Sequence, residues 1–102
     1  KTGAYNVSKA AVTHLTRQMA SELAPKVRVN AIAPALIKTR FAAAVWEEKE
    51  EEWANIYPMK RIGSPKDVVG VSCLLLSQEA GWITGETIVI DGGILVAGSL
   101  LR

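Results

Sequence analysis

A single cysteine, a single histidine and a single phenylalanine occur in these 102 residues. With only Cys73, an intramolecular disulfide is excluded. A lone thiol fits a reducing compartment, and the expected location is cytoplasmic. Cys73 and His14 together cannot supply the ligand set of a zinc site, so no metal is expected. Long apolar runs are also missing. The longest span only a few residues, such as Cys73–Leu76, against about 20 for a membrane helix, so no membrane partner is expected. The few aromatic residues do not interleave a basic cluster, as a single-strand binder requires, and no nucleic-acid partner is expected.

What is present describes a folded chain. Hydrophobic residues make up 49% and charged residues 22%, a globular balance rather than a disordered one. The length allows at most one domain. The net charge of +2 is unevenly spread. The run EEKEEE at 47–52 reads as a solvated face, and the rest of the chain carries a modest basic surplus.

Four prolines, Pro25, Pro34, Pro58 and Pro65, punctuate the order of elements. Residues Ala4 to Leu23 read as one helix stopped by Pro25, with Tyr5, Lys9, Val12, Thr16, Met19 and Leu23 on one side and His14 on the other. KVRVNAIAP, residues 26–34, reads as a strand that loses its polar alternation before Pro34. Residues 35–63 are irregular, with helical character around Phe41–Val45 and the acidic run. Ser64-Pro65-Lys66-Asp67 announces a helix to about Leu76: an N-cap serine, proline at the first helical position and a capping-box acid. Gly81–Gly85 reads as a turn and Glu86–Ile90 as a strand closed by Asp91-Gly92-Gly93.

Helix, strand, helical insert, helix, strand is the order of a parallel α/β domain. Two strands make a marginal sheet. The reading is therefore a partial single domain over residues 1–102, with further βα units expected in front of Lys1.

Tyr5 and Lys9 stand four apart on the first helix and so are neighbours on its surface. A phenol is a poor base at neutral pH, and a neighbouring ammonium favours its ionised form. Such a pair suits proton exchange with an alcohol or carbonyl, and the ammonium could hold ribose hydroxyls. The spacing alone serves equally for helix packing, with the lysine stem lying along the ring.

An ordered series of motifs decides between these. YNVSKAAV opens a helix, VRVNAIAP ends a strand in proline, IKT follows, RIGSPKDV leads into a helix, and ITGETIVIDGG comes last. From Tyr5 to Gly93 this series resembles the short-chain dehydrogenase/reductase family, nearest in look to its carbonyl and 3-oxoacyl-carrier-protein reductases. The resemblance implies an α/β fold, the C-terminal part of a doubly wound parallel-sheet (Rossmann-type) domain. It implies an NAD(P)-dependent oxidoreductase moving hydride between nicotinamide and a carbonyl/alcohol pair, with NAD or NADP left open. Tyr5 would be the acid–base tyrosine, and Lys9 would hold the nicotinamide ribose and ease ionisation of Tyr5. Asn30 and Pro34 match the strand-end motif. Pro34, Ala35, Ile37 and Thr39, with Tyr5 and Lys9, would form the cofactor-binding set. Ala35 replaces the usual glycine, which would cause strain if that position needs a positive φ. The family's glycine-rich loop and catalytic serine would precede Tyr5, so these 102 residues alone are expected to be inactive.

The insert carries Trp46, Trp53, Tyr57 and Met59, and resemblance makes it a lid over an apolar or bulky small-molecule substrate; plain helix packing explains it as well. Cys73 is expected to be a buried apolar residue. The apolar segment Ile94–Leu101 is expected at subunit contacts, since the resemblance implies a homo-oligomer. The alternative function is a non-enzymatic remnant acting as a helix-mediated association module.

Overall fold

The structure is a computed structural model that describes residues 3–100, with side chains described up to Ala97. Five helices and two short strands follow one another: α1 (Gly3–Leu23), β1 (Ala31–Pro34), α2 (Ala43–Trp46), α3 (Glu50–Ile56), α4 (Pro65–Leu76), β2 (Thr87–Ile90) and α5 (Ile94–Leu100), with one turn of 3₁₀ helix at Gln78–Ala80. β1 and β2 form a two-stranded sheet. Ala31 N–H donates to Glu86 C=O at 2.8 Å, and Ala35 N–H donates to Ile90 C=O at 3.0 Å. Equal offsets at both ends make the pair parallel, and a parallel pair needs a crossover, here the stretch containing α4.

The chain divides into two compact units, residues Lys1–Ile32 with Cys73–Ile88, and residues Ala33–Ser72 with Val89–Arg102. In the first unit, α1 is continuous because its interior has no proline or glycine and is rich in good helix formers. It stops at Leu23 because Pro25 has no N–H and restricts Ala24 before it. The buried positions of α1 are Thr16 and Ala20. The Thr16 hydroxyl is satisfied within the helix, donating to Val12 C=O at 2.8 Å. Ala20 meets Gly85, where an added Cβ would come 3.4 Å from the Ala20 Cβ. Gly85 has φ +79°, a conformation glycine adopts without strain. Ala80 is fully buried.

Side chains replace much of the backbone ladder just before β1. Arg28 donates to Ser77 C=O at 3.0 Å and to Ile83 C=O at 3.2 Å. The Asn30 amide donates to Ile83 C=O at 2.9 Å and accepts from Glu86 N–H at 3.1 Å. Val29 N–H donates to the Thr84 hydroxyl at 3.0 Å. The strand expected from residue 26 is therefore regular only from Ala31. Residues 27–30 are held by polar side chains that span a gap too irregular for a continuous ladder.

In the second unit, Tyr57 and Ile62 are the buried apolar side chains. The insert forms two short helices, α2 and α3, neither of which buries a residue. α4 begins at Pro65 and ends at Leu76, as Ser64-Pro65-Lys66-Asp67 predicts. Gly92 and Gly93 have φ +59° and +90°. Their bare Cα atoms let the turn lie against Tyr57 and Pro58: a Cβ on Gly93 would sit 3.1 Å from Pro58 Cγ.

One expectation is corrected. Cys73 is exposed rather than buried. It shares a face of α4 with Val69 and Leu76, which are also exposed, and among the described residues nothing covers that face. On α1 the side that runs from Tyr5 to Leu23 is largely exposed. Tyr5, Val12, Met19 and Leu23 are exposed, and only Thr16 in it is buried. The expected contact segment Ile94–Leu101 forms α5 as far as Leu100; Leu101 lies outside the described residues.

Candidate active site and ligand-binding residues

Tyr5 and Lys9 project from the first turns of α1, one helical turn apart, so the backbone brings them together without help from the rest of the chain. The Lys9 ammonium lies 5.3 Å from the centre of the Tyr5 ring, within cation–π range. Tyr5 is 60% exposed, and its hydroxyl makes no hydrogen bond among the described residues. Lys9 makes no ion pair among them. The pair thus presents a free phenol and a free ammonium side by side, the donor set that a polyhydroxyl or carbonyl ligand needs.

The strand-end residues lie in the other compact unit. Ile37 pairs with Gly63 in an isolated parallel bridge: Gly63 N–H donates to Leu36 C=O at 3.2 Å, and Lys38 N–H donates to Gly63 C=O at 2.8 Å. That pattern occupies the neighbours' groups and leaves the N–H and C=O of Ile37 itself without a partner among the described residues. One donor and one acceptor on the same residue match a primary carboxamide. Ala35 and Ile37 line a cavity of about 150 Å³ together with Tyr57, Met59, Arg61 and Asp67. Pro34 and Thr39 do not line it. Thr39 Oγ1 accepts from Ala42 N–H at 3.1 Å, which turns the chain into the insert and leaves the hydroxyl proton free for an acceptor.

Ala35 is not strained. The one non-glycine residue with positive φ among the described residues is Lys60, at 59°. Here alanine serves where the family's usual residue is glycine.

One cavity wall is electrostatically fixed. Arg61 grips Asp67 through two parallel bonds, Nη1–Oδ2 at 2.7 Å and Nη2–Oδ1 at 2.8 Å. Ser64 N–H adds a third bond to Oδ2 at 2.7 Å. The hydrogen bonds from Arg61 and from Ser64 N–H hold the Asp67 carboxyl well below the usual carboxylate range, and the same fork raises Arg61. Tyr57 closes the cavity floor, its oxygen accepting from Leu36 N–H at 3.3 Å. Arg61 opens the RIGSPKDV stretch and Tyr57 belongs to the aromatic insert, but the pattern alone assigns neither of them these roles.

A parallel strand pair joined through a helix, following the helix of Tyr5 and Lys9, fits part of a doubly wound, Rossmann-type α/β domain. Comparison with known proteins agrees. Residues 1–95 match the family described as enoyl-(acyl carrier protein) reductase. The chain is 49% identical over 94 residues to dehydrogenase/reductase SDR family member 4 of Mus musculus and 48% over 92 residues to that of Homo sapiens. These matches cover 89% and 87% of this chain, and 34% and 33% of the relatives. Among solved structures, the aldohexose dehydrogenase of Thermoplasma acidophilum, as a C-terminal deletion mutant, superposes with a TM-score of 0.84 at 37% identity, over 94% of this chain and 46% of that one. A short-chain type dehydrogenase/reductase from Mycobacterium ulcerans gives 0.83 at 42% identity, over 92% and 35%. The chain belongs to the short-chain dehydrogenase/reductase family. It spans about a third of the length of the curated relatives it matches.

Proposed function

We propose that the intact protein is an NAD(P)-dependent oxidoreductase acting on a carbonyl/alcohol pair, and that Tyr5 and Lys9 are its catalytic residues within this chain. The observation that carries this reading is the exposed Tyr5 hydroxyl, free of protein partners, with the Lys9 ammonium against its ring, in a chain of this family. In reduction Tyr5 gives its phenolic proton to the carbonyl oxygen, and in oxidation it takes the proton from the alcohol. Lys9 donates to ribose hydroxyls and stabilises negative charge on the phenol oxygen.

The residues present fit a nicotinamide nucleotide. Such a cofactor, when bound, supplies or accepts the hydride. The unpartnered N–H and C=O of Ile37 would take its carboxamide, and the free proton of the Thr39 hydroxyl would reach a phosphate oxygen. Pro34 and Ala35 would form the apolar edge of that site. NAD and NADP serve this donor set equally. The substrate is a small molecule, and the aromatic insert favours an apolar one. The intact protein would be a homo-oligomer, as the family resemblance suggests.

The test is Tyr5→Phe in the intact protein. Turnover should fall by a factor on the order of 10² or more, with cofactor affinity and melting temperature nearly unchanged. Near-normal turnover would refute the assignment.

A second reading, an association module, draws support from the exposed apolar side chains of α1, among them Val7, Val12 and Leu15. Sedimentation of the 102-residue chain, with and without NADPH, separates the two. Self-association without any nucleotide binding favours the module.

A further inference from the structure

The insert between β1 and α4 poses a physical problem. α2 has four residues and α3 has seven, and neither buries a side chain. Helices this short do not hold themselves together in water, and their side chains are at most half-buried, Trp46 and Trp53 among them. Partial packing of this kind leaves much of their positioning to a few polar tethers.

Two of those tethers, one from each helix, converge on one side chain. The backbone of Lys38 is pinned to the body of the second unit, because its N–H donates to Gly63 C=O at 2.8 Å. Its ammonium lies over the ring of Trp46, the last residue of α2, at 5.4 Å from the centroid. The same ammonium forms an ion pair with Glu50, the first residue of α3. Both helices of the insert thus reach the same cation. Two further bonds hold the ends in register: Trp46 Nε1–H donates to Thr39 C=O at 3.3 Å, and Trp53 Nε1–H donates to Val45 C=O at 3.0 Å. Glu50 also stands where a negative charge favours the start of α3, so the ion pair joins the lysine to a helix N-terminus.

We propose that Lys38 is the positioning residue of the insert: through Trp46 and Glu50 it latches α2 and α3 to the segment that carries Ile37 and Thr39. Lys38 stands between those two residues, so any ligand group that settles on Ile37 or Thr39 shifts the root of the latch. The ammonium itself touches no ligand. It sets where the insert stands when a ligand arrives. The functional part of this inference rests on the oxidoreductase reading above; the latch itself does not.

The experiment is hydrogen exchange on the full chain, comparing Lys38→Met with Lys38→Arg. In Lys38→Met the amides of residues 43–56 should exchange roughly three- to tenfold faster, as loss of one cation–π contact and one exposed ion pair implies. Exchange over residues 65–76 should be unchanged, which certifies that the variant is folded. Lys38→Arg keeps both the charge and the stacking and should restore the slow exchange. The charge-reversed pair Lys38→Glu with Glu50→Lys should restore it only in part, because Trp46 then faces a carboxylate. Unchanged exchange over residues 43–56 in Lys38→Met overturns the proposal, whatever the protein catalyses. In the intact protein the same substitution should raise the substrate KM several-fold more than it lowers kcat. An equal loss in both overturns the positioning role. An intact protein that binds no nicotinamide nucleotide would sink the oxidoreductase reading and leave the exchange result standing.

Discussion

The phenol oxygen of Tyr57 accepts the backbone N–H of Leu36 at 3.3 Å, two residues beyond the end of β1. Tyr57 is 4% exposed and Leu36 half-buried, so the bond is partly shielded from water. Its ring also supports the Asp91–Gly93 turn, since a Cβ on Gly92 would lie 3.4 Å from Tyr57 Cδ1. Tyr57→Phe keeps the ring and removes only the acceptor. It should cost about 0.5–1.5 kcal/mol, the net contribution of one part-buried hydrogen bond. Urea denaturation reads this as a lower midpoint at constant slope. No shift in midpoint would show that Leu36 N–H finds another partner.

The Arg61–Asp67 fork gives a prediction about acid. The bonds from Arg61 and from Ser64 N–H hold the folded-state pKa of Asp67 below its unfolded value. The stability this group contributes is therefore fully present above the unfolded value, near pH 3.9, and is lost as pH falls through the depressed folded value. Asp67→Asn should lower the melting midpoint by a few degrees at neutral pH. Its gap from the parent chain should narrow steadily below about pH 4. A gap that stays constant down to pH 2, roughly the acid end of the transition, would mean that the fork carries no pH-linked stability.

Ala35 leads to a prediction against the family pattern. Its φ is not positive, so the glycine usual at this place would gain nothing from its freedom. Ala35→Gly should instead lower stability by about 0.5–1 kcal/mol through the larger entropy of the unfolded chain. If Ala35→Gly raises the unfolding midpoint, the alanine is strained after all.

How far the sequence discloses this structure depends on the range of the interaction responsible. The start of α4 is local: Ser64, Pro65 and Asp67 specify it within four residues, and the helix begins where they say. Even so, the Ser64 hydroxyl donates at 3.2 Å to the Asp67 carboxylate, which Arg61 also grips, instead of accepting from the backbone. The proximity of Tyr5 and Lys9 follows from helical spacing alone. The free amide and carbonyl of Ile37 do not, since they depend on Gly63 pairing with the neighbours of Ile37 from 26 positions away. The stretch at 27–30 looked like a strand by its β-branched content, but its geometry is set by the side chains of Arg28 and Asn30 reaching residues 77–86. Cys73 looked like a core residue by type. Type cannot disclose that one face of α4 is uncovered among the described residues.

The two glycines Gly70 and Gly93 should respond to alanine with opposite signs. Gly70 lies inside α4, where an added Cβ meets nothing within 4 Å. Gly70→Ala should therefore stabilise by about 0.5–1 kcal/mol, from helix propensity alone. Gly93 sits at φ +90°, and its Cβ would come 3.1 and 3.2 Å from two carbons of the Pro58 ring. A proline ring has no flexible end to swing aside, and the left-handed backbone adds about 1–2 kcal/mol of its own for an L residue. Gly93→Ala should lower the unfolding free energy by at least that amount, with a lower midpoint, and loosen the turn against Tyr57 and Pro58. Faster amide exchange at Met59, whose N–H donates to Gly92 C=O at 3.1 Å, would report the loosening directly. If both variants move the midpoint in the same direction, the turn relaxes more readily than its packing against Pro58 implies.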